Sequence, residues 1–190
     1  LSEADFLRAI PKVIETIESY DVTTVRASVG NYLIAKYIAE NTECKVIFNG
    51  DGSDEVMGGY LYFLKCPNEL GFDLECRRLI NNIHYFDVLR SDRCISGHGL
   101  EPRTPFLDKN FVNMYLSIPQ KNRFPASNKM EKSLFRDSMN IFHPGILPNC
   151  ILYRKKEAFS DGVSSEKKSW FSIIQESLSG VTEKDYYCSV

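Results

Sequence analysis

Three carboxylates fall within five positions of the run Asn49-Gly50-Asp51-Gly52-Ser53-Asp54-Glu55. The glycines let backbone N–H groups approach a ligand closely, and like charges packed this densely require a counter-charge. Mg²⁺ takes oxygen ligands and few carboxylates, so it would supply that charge and bridge to phosphate oxygens at a helix N-terminus. A solvated acidic turn capping a helix uses the same residue types, and spacing alone leaves both readings open. An EF-hand fits less well, because the loop runs straight into Val56-Met57 without spaced liganding positions. The opposite charge appears in Arg154-Lys155-Lys156-Glu157, ahead of Phe159-Ser160-Asp161-Gly162. Such a cluster is commonly solvated, yet a lysine there could oppose charge developing on a departing pyrophosphate. Arg26 carries a planar fork suited to a substrate carboxylate, with a surface arginine as the plainer reading.

These groups must be positioned by the elements around them. Phe6, Leu7, Ile10, Val13, Ile14 and Ile17 follow a helical stripe, and Ser2-Glu3-Ala4-Asp5 resembles a capping box, so residues 2–19 read as a helix that Pro11 kinks or starts. A polar link over 20–26 then leads to a second helix capped by Ser28 and running to about Glu40. Lys45-Val46-Ile47-Phe48 reads as a buried strand, closed by the glycine-rich loop, with Ser53-Asp54-Glu55 as the cap and first turn of the next helix. Ligands in open parallel sheets gather beyond the carboxyl ends of strands, which places the site at 49–55. Farther on the strand signal fades. Residues 70–83, 85–95, 109–117 and 129–139 read as helices, separated by turns at Gly97-His98-Gly99, Pro119 and Pro144-Gly145. The fold class is therefore α/β, a parallel sheet edge followed by a helical cluster, with an amphipathic stretch over 170–178 and a polar end.

Composition excludes several function classes. The 190 residues are 43% hydrophobic and 25% charged, an ordinary globular balance that can build a sizeable core. Lys plus Arg number 23 against 25 Asp plus Glu, a net charge of −2, so no bulk field draws the chain to nucleic acid or an anionic membrane. No stretch reaches the ~20 consecutive apolar residues of a membrane span, and a cytoplasmic location is the expectation. The six cysteines match neither zinc spacing nor a dense disulfide framework, and read as reduced thiols. His84, His98 and His143 are too scattered for a metal site.

Five motifs in order carry a resemblance to a known family. They are VTTVRAS at 22–28, NGDGSDEVMGGYLY at 49–62, GLEPRTPFLD at 99–108, KMEK at 129–132 and RKKEAFSDGV at 154–163. Together they resemble glutamine-hydrolysing asparagine synthetase, over roughly residues 15–165. The resemblance implies the carboxy-terminal part of a synthetase domain of the ATP-pyrophosphatase fold (adenine nucleotide alpha hydrolase-like), with 1–165 in that domain and 166–190 a terminal helix and polar tail. It implies an ATP-dependent ligase with ATP and Mg²⁺. Aspartate would be activated as β-aspartyl-AMP with release of pyrophosphate, and ammonia, supplied from glutamine by an N-terminal glutaminase domain, would displace AMP to give asparagine. By position, Asn49 and Gly50 would lie against ATP and Asp54 would ligand Mg²⁺. Lys156 would steady phosphate charge and Arg26 would bind substrate. Asp51 stands where many relatives carry a Glu that assists proton removal from ammonia, and is one methylene shorter.

The family's Ser-Gly-Gly-x-Asp-Ser phosphate loop and its amino-terminal cysteine nucleophile are not found, and the first residue is Leu. The expectation is a segment of a longer chain, inactive alone, with a homodimer left open. Two rivals remain at this level: a β-lactam synthetase-like enzyme that adenylates another carboxylate, and a non-catalytic binding or assembly module of the same fold.

Overall fold

The computed structural model describes residues 2–125, 129–157 and 170–177. The helix α1 (Glu3–Ile17) starts at the expected capping box, in which the Ser2 hydroxyl accepts from the Asp5 N–H and the Asp5 carboxylate accepts from the Ser2 N–H. Pro11 lies inside this helix, and Ala9, Val13 and Ile17 form its buried stripe. Helix α2 (Val22–Asn41) begins six residues earlier than Ser28, because the Asp21 carboxylate accepts from the Thr24 N–H and caps it there. The polar link is thus the first turns of α2, and Arg26 sits on a helix rather than at a loop's end. Ser28 is fully buried, and its hydroxyl donates to the Thr24 carbonyl.

Strand β1 (Val46–Phe48) feeds the glycine-rich loop and then α3 (Ser53–Met57). The cap of α3 is Gly52, not Ser53; its φ of 86° is open to glycine, and a Cβ there would lie 2.2 Å from a Leu107 methyl. Helices α4 (Glu69–Asn82) and α5 (Asp87–Ser96) follow, with a short 3₁₀ turn over Ile83–Tyr85 between them. Then comes an element the sequence did not reveal, strand β2 (Glu101–Arg103), parallel to β1 with Val46 opposite Glu101 and Phe48 opposite Arg103. The described sheet has these two strands. Its Pro102 has no N–H and no apolar alternation surrounds it, so pairing with β1 rather than local propensity makes this strand. Beyond it lie α6 (Lys109–Ser117), α7 (Gln120–Arg123), α8 (Ser133–Phe142), α9 (Asn149–Leu152) and α10 (Trp170–Ser177). The stretch expected to be helical from 129 becomes so only at Ser133, because Lys132 adopts a left-handed φ of 56°.

The molecule is mostly helical with a small parallel sheet, compatible with the α/β class. One core gathers Val13 and Ile17 of α1, Val25 and Val29 of α2, Cys94 of α5 and Trp170 and Ile173 of α10, with the Phe6 ring edge-on to Trp170. A second, around Phe63, Phe72 and Cys76, backs the segment after α3. Val46 and Phe48 of β1 are largely exposed. The five cysteines among the described residues are free thiols, and no described helix is long and apolar enough to cross a membrane. The last six residues of the RKKEAFSDGV motif, residues 164–169 and the polar end beyond 177 lie outside the described residues.

Candidate functional site

The carboxyl end of β1 opens on a cavity of about 1060 Å³, and all six residues singled out from the sequence line it: Arg26, Asn49, Gly50, Asp51, Asp54 and Lys156. Parallel pairing explains the location, since the chain leaves both strands at this end, and the Asn49 N–H still donates to the Arg103 carbonyl at 2.9 Å. The Asn49 side-chain oxygen then accepts from the Asp51 N–H at 3.2 Å, which turns the chain toward α3. Its buried amide nitrogen has no hydrogen-bond partner among the described residues.

The three carboxylates of the loop point in different directions, Asp54 to two lysines, Asp51 to Ser91 and Glu55 to Tyr60, which separates their charges. Asp54 faces two ammonium groups: Lys132 lies 2.6 Å from Oδ1 and Lys156 lies 2.6 Å from Oδ2. Burial pushes the Asp54 carboxyl up, but the two lysines, Lys132 foremost, more than offset this and hold it below the usual carboxylate range. Lys132 also donates to the Ser53 hydroxyl at 3.0 Å, and the Lys156 ammonium stands 5.4 Å from the centre of the Tyr60 ring. Gly59 makes the approach possible, because a Cβ there would lie 1.9 Å from Asp54 Oδ1 and 2.2 Å from the Lys132 Cε. The neighbouring Lys155 is exposed.

Asp51 turns the other way and accepts from the Ser91 hydroxyl on α5. Burial raises its proton affinity, against the lowering effects of the Ser91 hydrogen bond and the Arg90 charge. Glu55 is buried and accepts from the Tyr60 hydroxyl, which also bonds Asp87 at 3.1 Å; Asp87 in turn pairs with Arg90. Burial, reinforced by Asp87, pushes Glu55 up to about 7. Asp87, Arg90 and Ser91 sit at i, i+3 and i+4, so one face of α5 forms a wall of the site. That spacing is visible in the sequence itself. Lys132 lies in the KMEK motif, where its spacing gives no sign of the carboxylate it meets.

Asp54 is the carboxylate of the loop best placed to share a cation with a ligand in the cavity, although both its oxygens face ammonium groups. Among the described residues no three His, Cys, Asp or Glu side chains form a metal-binding group. Asp54 nonetheless offers one carboxylate kept ionised at the cavity wall, and a phosphate-bound Mg²⁺ needs only one or two.

Comparison with known proteins gives a consistent picture. The family model described as asparagine synthase matches residues 1–79 and 64–185. The chain is 51% identical over 170 residues to the asparagine synthetase [glutamine-hydrolyzing] of Homo sapiens and to that of Gallus gallus, and 49% identical to that of Rattus norvegicus. Each match covers 90% of this chain and 30% of the relative, so the chain spans about 30% of the length of these curated relatives.

Proposed function

Because the chain belongs to the asparagine synthase family, we propose that it supplies part of the adenylation and amidation site of an ATP-dependent asparagine synthetase, within the ATP-pyrophosphatase fold. The observation that carries this reading is the meeting of Asp54 with Lys132 and Lys156 in the same cavity as Asp51. In the reaction an oxygen of the aspartate side-chain carboxylate attacks the α-phosphorus of ATP, and the bond to pyrophosphate breaks. Ammonia then attacks the acyl carbon of β-aspartyl-AMP, loses a proton, and AMP departs with the electron pair of the broken C–O bond.

Each residue has a role set by its chemistry. The Lys132 and Lys156 ammonium groups oppose the negative charge that grows on the departing pyrophosphate, and the partial burial of both side chains makes each worth more than in bulk water. Asp54 anchors both, and would share Mg²⁺ with the phosphates; the metal would add further neutralisation of that charge. The Asn49 amide and the Gly50 backbone lie against the nucleotide, and Arg26 holds a substrate carboxylate in its fork. Asp51 takes the proton from attacking ammonia. Its burial makes it a stronger base than an exposed aspartate, while Ser91 orients it.

The test is exchange of labelled pyrophosphate into ATP by the complete polypeptide that carries this chain, with and without aspartate, followed by assay of asparagine with ammonia. Aspartate-dependent exchange together with asparagine formation is expected. Exchange driven by a different carboxylate would favour the β-lactam synthetase-like reading, and no exchange with any carboxylate would favour a binding module.

A further inference from the structure

Arg136 is not among the residues assigned to chemistry above, yet its side chain reaches both halves of the lysine site. It lies on the first turns of α8, and its guanidinium makes four hydrogen bonds. Nε donates to the Glu131 carbonyl at 2.9 Å and Nη2 to the Glu131 carboxylate at 2.5 Å. Nη1 donates to the Leu152 carbonyl, and Nη2 reaches the Arg154 carbonyl at 3.4 Å. The Glu131 side chain is 4% exposed and that of Arg136 16%. A carboxylate so deeply buried requires this partner.

The two carbonyls are those of the last residue of α9 and of the residue two places before Lys156. Here the chain has left its helix, and from Arg154 to Glu157 no regular element holds it. The backbone at 154 is thus tied to α8 through one rigid fork. The other end of the fork is fixed on Glu131, next to Lys132, whose ammonium pairs with the same Asp54 carboxylate as Lys156. A guanidinium suits this task because its five donors lie in one plane, whereas the flexible ammonium of a lysine can reach these acceptors only one or two at a time.

We propose that Arg136, anchored by buried Glu131, is the positioning residue that presents Lys156 to the phosphates. The inference rests on the adenylation reading given above. Arg136 and Glu131 border the same cavity, but the hydrogen bonds of the guanidinium go to Glu131, Leu152 and Arg154, so Arg136 acts by placing Lys156 and its contribution disappears when the Lys156 ammonium is gone.

The experiment is a double-substitution cycle in the complete polypeptide, read as aspartate-dependent exchange of pyrophosphate into ATP. Arg136→Lys should lower the exchange rate about 10-fold or more, with little change in KM for aspartate, since small displacements of a charge-stabilising group are costly. In a Lys156→Ala background the same substitution should cost less than about twofold. Equal fold-losses in the two backgrounds would assign Arg136 to general stability and overturn the proposal. So would an Arg136→Lys protein as fast as the unsubstituted one. Should Arg136→Lys fail to fold, Glu131→Gln, which leaves the two carbonyl contacts in place, is read in the same cycle and should show a smaller loss that again vanishes with Lys156→Ala. Failure of the unsubstituted protein to exchange would overturn the adenylation reading and this inference together, whereas additivity in an active protein overturns this inference alone.

Discussion

The ammonium of Lys156 lies 2.6 Å from a carboxylate oxygen of Asp54, a residue 102 positions earlier in the chain. The two are brought together by tertiary packing alone, and Lys132 closes on the opposite oxygen of the same carboxylate. Two cations on one anion leave a local surplus of positive charge at the cavity wall, which is the electrostatic condition for holding a polyphosphate.

Gly59 should be intolerant of a side chain. A methyl group there would overlap Asp54 Oδ1 and the Lys132 Cε, so Gly59→Ala must push one of them aside. Urea unfolding should show a loss of about 1–3 kcal/mol, as for other overpacked sites, together with a fall in pyrophosphate exchange. Unchanged stability and exchange would mean that the Asp54 and Lys132 contact is dispensable.

Asp51→Asn should spare pyrophosphate exchange and slow asparagine formation. The amide keeps the shape of the loop and still accepts from Ser91, but it cannot take a proton from ammonia. Loss of exchange as well would assign Asp51 to adenylation or to loop structure.

Glu55 should make stability depend on pH across the neutral range. Its folded-state value of about 7 lies above the ordinary carboxyl value of 4.5, so the folded state holds the proton more tightly than the unfolded one. Its contribution is therefore fully present below about pH 4.5 and is lost as pH rises through about 7. The slope in that window is at most roughly 1.4 kcal/mol per pH unit. Glu55→Gln should remove this component, measured as the difference in unfolding free energy between the two proteins from pH 5 to 8. A pH-independent difference would contradict the assignment.

The loop at 49–55 was legible because its chemistry is local: glycines, an Asx turn and acids at a helix start state their own conformation. Lys156 and Arg26 stood out by resemblance, and the fold brings both to the wall of the same cavity. The start of α2 was missed because Thr23, Thr24 and Val25 are β-branched and read as a link, although Asp21 was a sufficient cap. Strand β2 was missed because Glu101-Pro102-Arg103 has no strand propensity of its own and exists through its partner. Lys132 was missed for a third reason: a left-handed residue just before a helix shows in no periodicity, and its value lies wholly in the carboxylate it meets.

The contrast between two adjacent lysines tests the proposed phosphate-facing role of Lys156 most directly. Both lysines border the cavity, but Lys156 is half-buried and paired with Asp54, whereas Lys155 is exposed. In the complete polypeptide, aspartate-dependent exchange of pyrophosphate into ATP should fall by about 10² or more with Lys156→Ala, as expected for loss of a partly buried group that stabilises developing charge. Lys155→Ala should change it less than about threefold, in line with an exposed charge. Equal and small effects of the two substitutions would return Lys156 to the solvated surface and contradict a phosphate-handling site built on Asp54.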